Sequence, residues 1–202
     1  MSARLSPLPY PGGKGRFASR LLALLPEPRA HWTYCEPFCG SASVLLSRAP
    51  VGLEVINDAN RDLMTFFRVL RDQGEELREF LRCTPYSRAL YQEWSDPGFL
   101  PLSDIERAAR TFYLARASML AAWQRSSPAG FAVAKGENRA GAMANAVEDL
   151  LMVRDRLRKV VIENDDALSV IRRYDSEKTV FYCDPPYLSH TESRNPNYQH
   201  GF

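Results

Sequence analysis

Four residues near the end of the chain, Asp184-Pro185-Pro186-Tyr187, combine a carboxylate, two prolines and an aromatic ring. They follow Val180-Phe181-Tyr182-Cys183, an apolar run of the buried-strand type. In an open α/β sheet, ligands bind beyond the carboxyl ends of the strands. The two prolines fix φ and remove two backbone donors, while their carbonyls remain as acceptors. A carboxylate, a carbonyl acceptor and an aromatic face then meet at one strand end. That set suits a flat base with an exocyclic amino group, which offers two N–H donors and a π-face. A rigid turn with a packing tyrosine is the plainer reading of the same four residues.

Three further motifs lie upstream. Glu36-Pro37-Phe38-Cys39-Gly40-Ser41-Ala42-Ser43 follows a β-prone run from Trp32. A small-residue turn between strand and helix lets a ligand approach the backbone closely. Only Gly40 is a glycine there, so the dinucleotide GxGxxG pattern is absent. Asp58 ends a second apolar run, 22 residues after Glu36, where a carboxylate can accept hydrogen bonds from ribose hydroxyls. Its plainer role is a helix N-cap. Pro9-Tyr10-Pro11-Gly12-Gly13-Lys14 lacks P-loop spacing, yet a Gly-Gly turn bearing Tyr10 and Lys14 can cover a small ligand.

The elements that must position these residues read as an interrupted α/β pattern. Phe17 to Leu25 is helical, Trp32 to Phe38 a strand, Ala42 to Arg48 a helix and Gly52 to Asn57 a strand. Asp58 and Asn60 precede a helix from Leu63 to Leu70. From 62 to 158 the alternation stops. Ala108, Phe112, Ala115 and Met119 share one helical face, as do Val147, Leu150, Val153 and Leu157. Arg125 to Gly141 reads as an exposed loop or small hairpin. The α/β rhythm then resumes with a strand at Lys159 to Glu163, a helix at Ala167 to Tyr174 and a strand at Thr179 to Cys183.

The 202 residues, 45% of them hydrophobic, allow one sizeable core. A net charge of +2 does not announce a nucleic-acid binder, so any DNA footprint must be local. No apolar run is long enough to span a bilayer, and Pro and Gly occupy the place of a signal-peptide core, which reads as cytosolic. Cys35, Cys39, Cys83 and Cys183 form no CxxC pair, which argues against a zinc site or a disulfide framework. Asp184, His190, Glu192 and His200 are possible metal ligands by type, but their spacing fits no metal motif, and no metal is expected.

Taken in order, YPGGK, EPFCGSASV, IND and YCDPPY resemble the Dam-like family of adenine-specific (N6) DNA methyltransferases from Leu8 to Phe202. The resemblance implies a Rossmann-like, S-adenosylmethionine-dependent methyltransferase sheet with a helical insertion. It implies S-adenosylmethionine contacts at Tyr10, Lys14, Glu36, Phe38 and Gly40, a ribose contact at Asp58, and an acidic residue near the cofactor's adenine. Asp165 and Asp166 compete for that last place; Asp166 is favoured, although it also suits an N-cap. Asp184, Pro185, Pro186 and Tyr187 would act on a flipped adenine. The expected division puts 1–61 and 159–202 in the methyltransferase domain and 62–158 in a target-recognition insertion on double-stranded DNA. Of the insertion's basic residues Arg107, Arg110, Arg116, Arg125, Lys135 and Arg139, the four at 116, 125, 135 and 139 are the expected phosphate contacts.

Two departures from the family pattern stand out. Many relatives have a second glycine where this chain has Ala42. Relatives also continue for several strands past the DPPY loop, so the sheet is expected to be incomplete here, and the 202-residue form to have little or no methyltransferase activity and to aggregate. Cytosine-N4 methylation, more often built on Ser in place of Asp184, and a non-catalytic remnant that binds only DNA or cofactor are the competing functions.

Overall fold

A computed structural model describes residues 6–9, 18–27, 29–119, 130–133 and 136–186. Helix α1 (Ala18–Leu22) leads to strand β1 (Thr33–Glu36), helix α2 (Ser43–Ser47) and strand β2 (Leu53–Ile56). Helices α3 (Arg61–Asp72), α4 (Gly74–Arg82), α5 (Arg88–Ser95), α6 (Asp104–Ala117), α7 (Arg139–Glu148) and α8 (Leu150–Leu157) follow. Strand β3 (Val160–Ile162), helix α9 (Ala167–Tyr174) and strand β4 (Thr179–Phe181) complete the described chain.

The four strands form one parallel sheet in the order β3-β2-β1-β4. Side-chain alternation divides it into two faces. Tyr34, Ile56, Val160 and Val180 join the larger core with residues of α2, α3, α6 and α8, while Cys35, Val55, Val161 and Phe181 pack with Val170 and Tyr174 of α9. Both faces are thus covered, as a parallel sheet requires. β1 and β2 are buried beyond their first residues, whereas all three residues of β4 are half-buried.

The insertion packs onto the sheet rather than standing apart. α3 lies along α6, and α8 returns to α3. Phe66 and Phe112, both fully buried, stack at 6.1 Å between ring centroids. Arg156 of α8 reaches back to the sheet, donating from Nη2 to Glu54 Oε1 at 2.7 Å and to the Leu45 carbonyl at 3.1 Å. The charged Glu54 is therefore paired where it is buried.

Periodicity found the insertion's helices but not their joints. Val147, Leu150, Val153 and Leu157 are all buried, yet they straddle two helices that meet at Asp149. Met119 lies beyond α6 and is half exposed. The expected loop to Gly141 ends sooner, because Asn138 caps α7 by accepting the Gly141 N–H at 2.8 Å. Ser118 and Phe131 form an antiparallel bridge, with Met119 N donating to the Gly130 carbonyl and Ala132 N to the Ala117 carbonyl. These bonds pair 117–119 with 130–132.

Candidate functional site

The strand order sets where a site can form. From β1 the chain moves outward to β2 and β3, then crosses back to place β4 on the other side of β1. The direction of winding reverses between β1 and β4, and in sheets of this kind ligands bind outside the carboxyl ends of the strands at such a switch point. The Glu36–Ala42 turn and Asp184 both lie just beyond those ends.

The turn after β1 is tightly wound. Gly40 and Ala42 both have left-handed backbones, at φ 49° and 52°. Glycine tolerates that region, whereas alanine is strained by its Cβ. This chain thus holds a left-handed turn with a residue less suited to it than glycine. Asp58 helps hold it. Its Oδ2 accepts the Gly40 N–H at 3.0 Å and its Oδ1 accepts the Asn60 N–H at 2.9 Å. The N-cap of α3 is Asn60, whose Oδ1 accepts from Leu63 N at 3.1 Å. Asp58 is thus not the cap.

Glu36 points into the protein and is 1% exposed. The Tyr34 hydroxyl donates to its Oε1 at 2.9 Å. Burial pushes the Glu36 carboxyl up to about 7, against the lowering effects of the Tyr34 bond and of Arg48. The Tyr34 hydroxyl is itself raised, by burial first and by Glu36 next. The Arg48 guanidinium sits 3.8 Å from the Tyr34 ring centroid, and its buried Nη1 has no hydrogen-bond partner among the described residues. Phe38 is half-buried in the same turn.

Beyond β3, Asp166 caps α9 by accepting the Ser169 N–H at 2.9 Å. Asp165 accepts from Asp166 N and from Arg173, whose guanidinium holds its carboxyl below the ordinary carboxylate range. After β4, Asp184 is half-buried, Pro185 exposed and Pro186 half-buried. The Tyr182 N–H donates to the Cys35 carbonyl and extends the β1–β4 ladder toward Asp184. Tyr10, Lys14, Tyr187, Arg125 and Lys135 lie outside the described residues, as do His190, Glu192 and His200. Among the described residues no group of three or more His, Cys, Asp or Glu could hold a metal ion.

Four of the insertion's arginines, Arg107, Arg110, Arg116 and Arg139, have partners within the described residues. Arg107 pairs with Asp62 at 2.8 Å, and Arg110 Nε donates to the Trp94 carbonyl at 2.6 Å. Arg116 donates from Nε and Nη2 to the Pro7 carbonyl at 3.2 and 2.7 Å and lies over the Phe112 ring. Burial pushes its guanidinium down to about 10. Arg139, at the exposed start of α7, pairs with Glu137 at 2.7 Å.

Sequence reasoning passed over Asn57, Asn164 and Arg48. Asn57 reaches two other turns through its side chain, at Pro37 and at Asp165, and Asn164 Nδ2 donates to the Asp58 carbonyl at 2.8 Å. An asparagine directly after a buried apolar strand was the available signal.

Comparison with known proteins adds independent findings. The family model described as D12 class N6 adenine-specific DNA methyltransferase matches residues 10–201. The type II methyltransferase M1.LlaDCHI of Lactococcus lactis subsp. cremoris is 27% identical over 194 residues, which cover 91% of this chain. The matched region is 66% of that protein's length, so this chain spans just under two thirds of the relative. No helix among the described residues is long and apolar enough to cross a membrane. With the motifs in family order and a parallel sheet of matching type, the chain belongs to the D12 class of N6 adenine-specific DNA methyltransferases.

Proposed function

We propose that this chain carries the catalytic edge of an enzyme that methylates adenine N6 in double-stranded DNA, in the cytoplasm, with S-adenosylmethionine as donor. One observation carries the reading. The Asp184-Pro185-Pro186 segment and the Glu36–Ala42 turn flank the same switch point, between β1 and β4.

The chemistry of the residues present fits that donor. Carboxylates stand at the ends of β1, β2 and β4, in Glu36, Asp58 and Asp184. The donor offers an ammonium, a sulfonium and ribose hydroxyls, all partners for carboxylates. A carboxylate accepts up to about four hydrogen bonds. Asp58 can therefore brace Gly40 and accept ribose hydroxyls together. Gly40 leaves room for close backbone approach. Tyr10, Lys14, Phe38 and Asp166 complete the proposed cofactor contacts. When bound, S-adenosylmethionine supplies a methyl group activated by its sulfonium.

Adenine N6 is a poor nucleophile because its lone pair is delocalised into the ring. In this reading the Asp184 carboxylate and the Pro185 carbonyl accept its two N–H groups. They draw N6 toward tetrahedral geometry and localise the lone pair. These bonds strengthen as positive charge grows on N6, so they favour the transition state over the ground state. Pro186 stiffens the loop and Tyr187 stacks on the base, which must leave the duplex to arrive.

Residues 62–158 form the proposed target-recognition insertion, between methyltransferase segments 1–61 and 159–202. Arg125 falls in sequence between the bridged residues Ser118 and Phe131, and Lys135 and Arg139 follow them; phosphate contacts from these residues would register the duplex. Arg116 bonds inward and is the weakest of the four phosphate candidates.

The test is transfer of tritiated methyl to duplex oligonucleotides of varied sequence, followed by digestion to nucleosides. Label in N6-methyldeoxyadenosine is expected. Label in N4-methyldeoxycytidine would overturn the adenine assignment. Absence of label with retained cofactor binding would support the non-catalytic reading.

A further inference from the structure

Asn57 follows β2 and is 0% exposed, a position where its neighbours Val55 and Ile56 are apolar. Its amide is bonded on every side. Nδ2 donates to the Pro37 carbonyl at 2.9 Å and to the Asp165 carbonyl at 3.1 Å, and Oδ1 accepts the Asp165 N–H at 2.9 Å. Its backbone N–H donates to the Glu36 carbonyl and its carbonyl accepts the Cys39 N–H. The paired bonds with Asp165 imitate one step of a strand ladder, made by a side chain. The third side-chain bond reaches the opposite turn.

From this we infer that Asn57 is a positioning residue for the methyl-donor pocket, fixing the Pro37–Gly40 turn and the Asp165–Asp166 turn at one separation. The inference rests on the cofactor reading above. Packing alone does not require asparagine here. A buried amide is costly unless all its hydrogen bonds are made, and an apolar residue would fill the space. An asparagine has two donors and an acceptor in one plane, which joins a carbonyl on one turn to both the N–H and the carbonyl of a single residue on the other. Asp58 and Gly40 hang on one side of this link and Asp166 on the other. A ligand touching both turns meets them already spaced, so less ordering opposes its binding.

The test compares Asn57→Ala and Asn57→Asp with Leu157→Ala, a truncation of a fully buried residue outside both turns. Asn57→Asp keeps the shape and the acceptor but loses both donors. The first measurement is amide hydrogen exchange on the full chain without ligand. Segments 37–41 and 164–167 should lose protection together in both Asn57 variants, with α3 and α6 unchanged. Loss at one segment alone, or at neither, overturns the inference, whether or not the protein binds a methyl donor. The second is calorimetric titration with S-adenosylhomocysteine, at temperatures giving each variant the same folded fraction. Asn57→Ala should bind about tenfold more weakly than the parent, as for one to two lost hydrogen bonds, and Leu157→Ala like the parent. Equal weakening in both would make the role merely structural and overturn it. A parent that fails to bind would sink the cofactor reading itself, leaving exchange to decide for or against the link.

Discussion

Around the carboxyl ends of β1, β2 and β3, short polar side chains close bonds from turn to turn: Asn57 to Pro37 and Asp165, Asp58 to Gly40, Asn164 to Asp58. Between α3 and α6 the contact is carried by Phe66, Phe112, Ala108 and Ala115, all at or near zero exposure. Hydrogen bonds are directional and add little net stability, whereas apolar burial is non-directional and adds much. The first region therefore sets geometry and the second sets whether the chain folds. Substitutions in the two regions should separate binding and catalysis from stability.

The largest effect should come from the site alone. In the proposed reading, Asp184→Ala abolishes methyl transfer to duplex DNA and leaves affinity for S-adenosylhomocysteine near the parent value. A transfer assay paired with calorimetry reads both; transfer at near-parental rate would remove Asp184 from the chemistry.

The interface should answer in the opposite currency. Phe112→Ala is expected to cost about 3–5 kcal/mol in urea unfolding, because it deletes a fully buried ring stacked on Phe66. A loss under about 1 kcal/mol would mean that the α3–α6 contact is not what the fold depends on.

Glu36 joins the two behaviours, because it is buried like the core yet is one of the proposed cofactor contacts. Its folded pKa is raised to about 7 by burial. The folded state then holds this proton more tightly than the unfolded state. The stabilising contribution is present at low pH and is lost as pH rises from the ordinary carboxylate range through about 7. The size is about 1.4 kcal/mol for each pH unit of displacement. Glu36→Gln should flatten that slope in urea titrations run from pH 5 to 8. An unchanged slope would place the titration elsewhere.

Asp58→Ala should weaken binding of the methyl donor by about 1.5–3 kcal/mol, as for a lost charge-assisted contact. Calorimetry would show unchanged affinity if Asp58 only braces Gly40. The smallest change should be a gain. Ala42→Gly relieves a left-handed alanine and is expected to stabilise the fold by about 1 kcal/mol in thermal melts, with no loss of donor binding. A lower melting temperature would mean that the turn has another source of order.

The alternation of Tyr34, Cys35 and Glu36, and of Leu53 to Ile56, was legible because each strand has one clear apolar run and a polar stop. All four strands and α9 could be placed on that basis. The joints at Asp149 and after Ala117 were not, because apolar spacing continues through a helix junction when both helices face one core. In the candidate site, residue types singled out Asp184 and Asp58. Asn57 and Arg48 passed unnoticed because their roles depend on long-range partners, Asp165 in one case and Tyr34 with Glu36 in the other. The inward turn of Arg116 to Pro7 was hidden for the same reason.

The parallel pairing of β1 with β4 also has a consequence in time. Thr33 pairs with Thr179, 146 positions later (179 − 33). A ribosome adding about 5–20 residues per second needs about 7–30 s to cover that interval. Through that wait β1 has β2 on one side and an open edge on the other, while α3 to α8 are already made and can pack. Helices α3 to α8 would therefore emerge and condense before β4 arrives. The switch point between β1 and β4 would be the last part of the described fold to exist on a newly made chain.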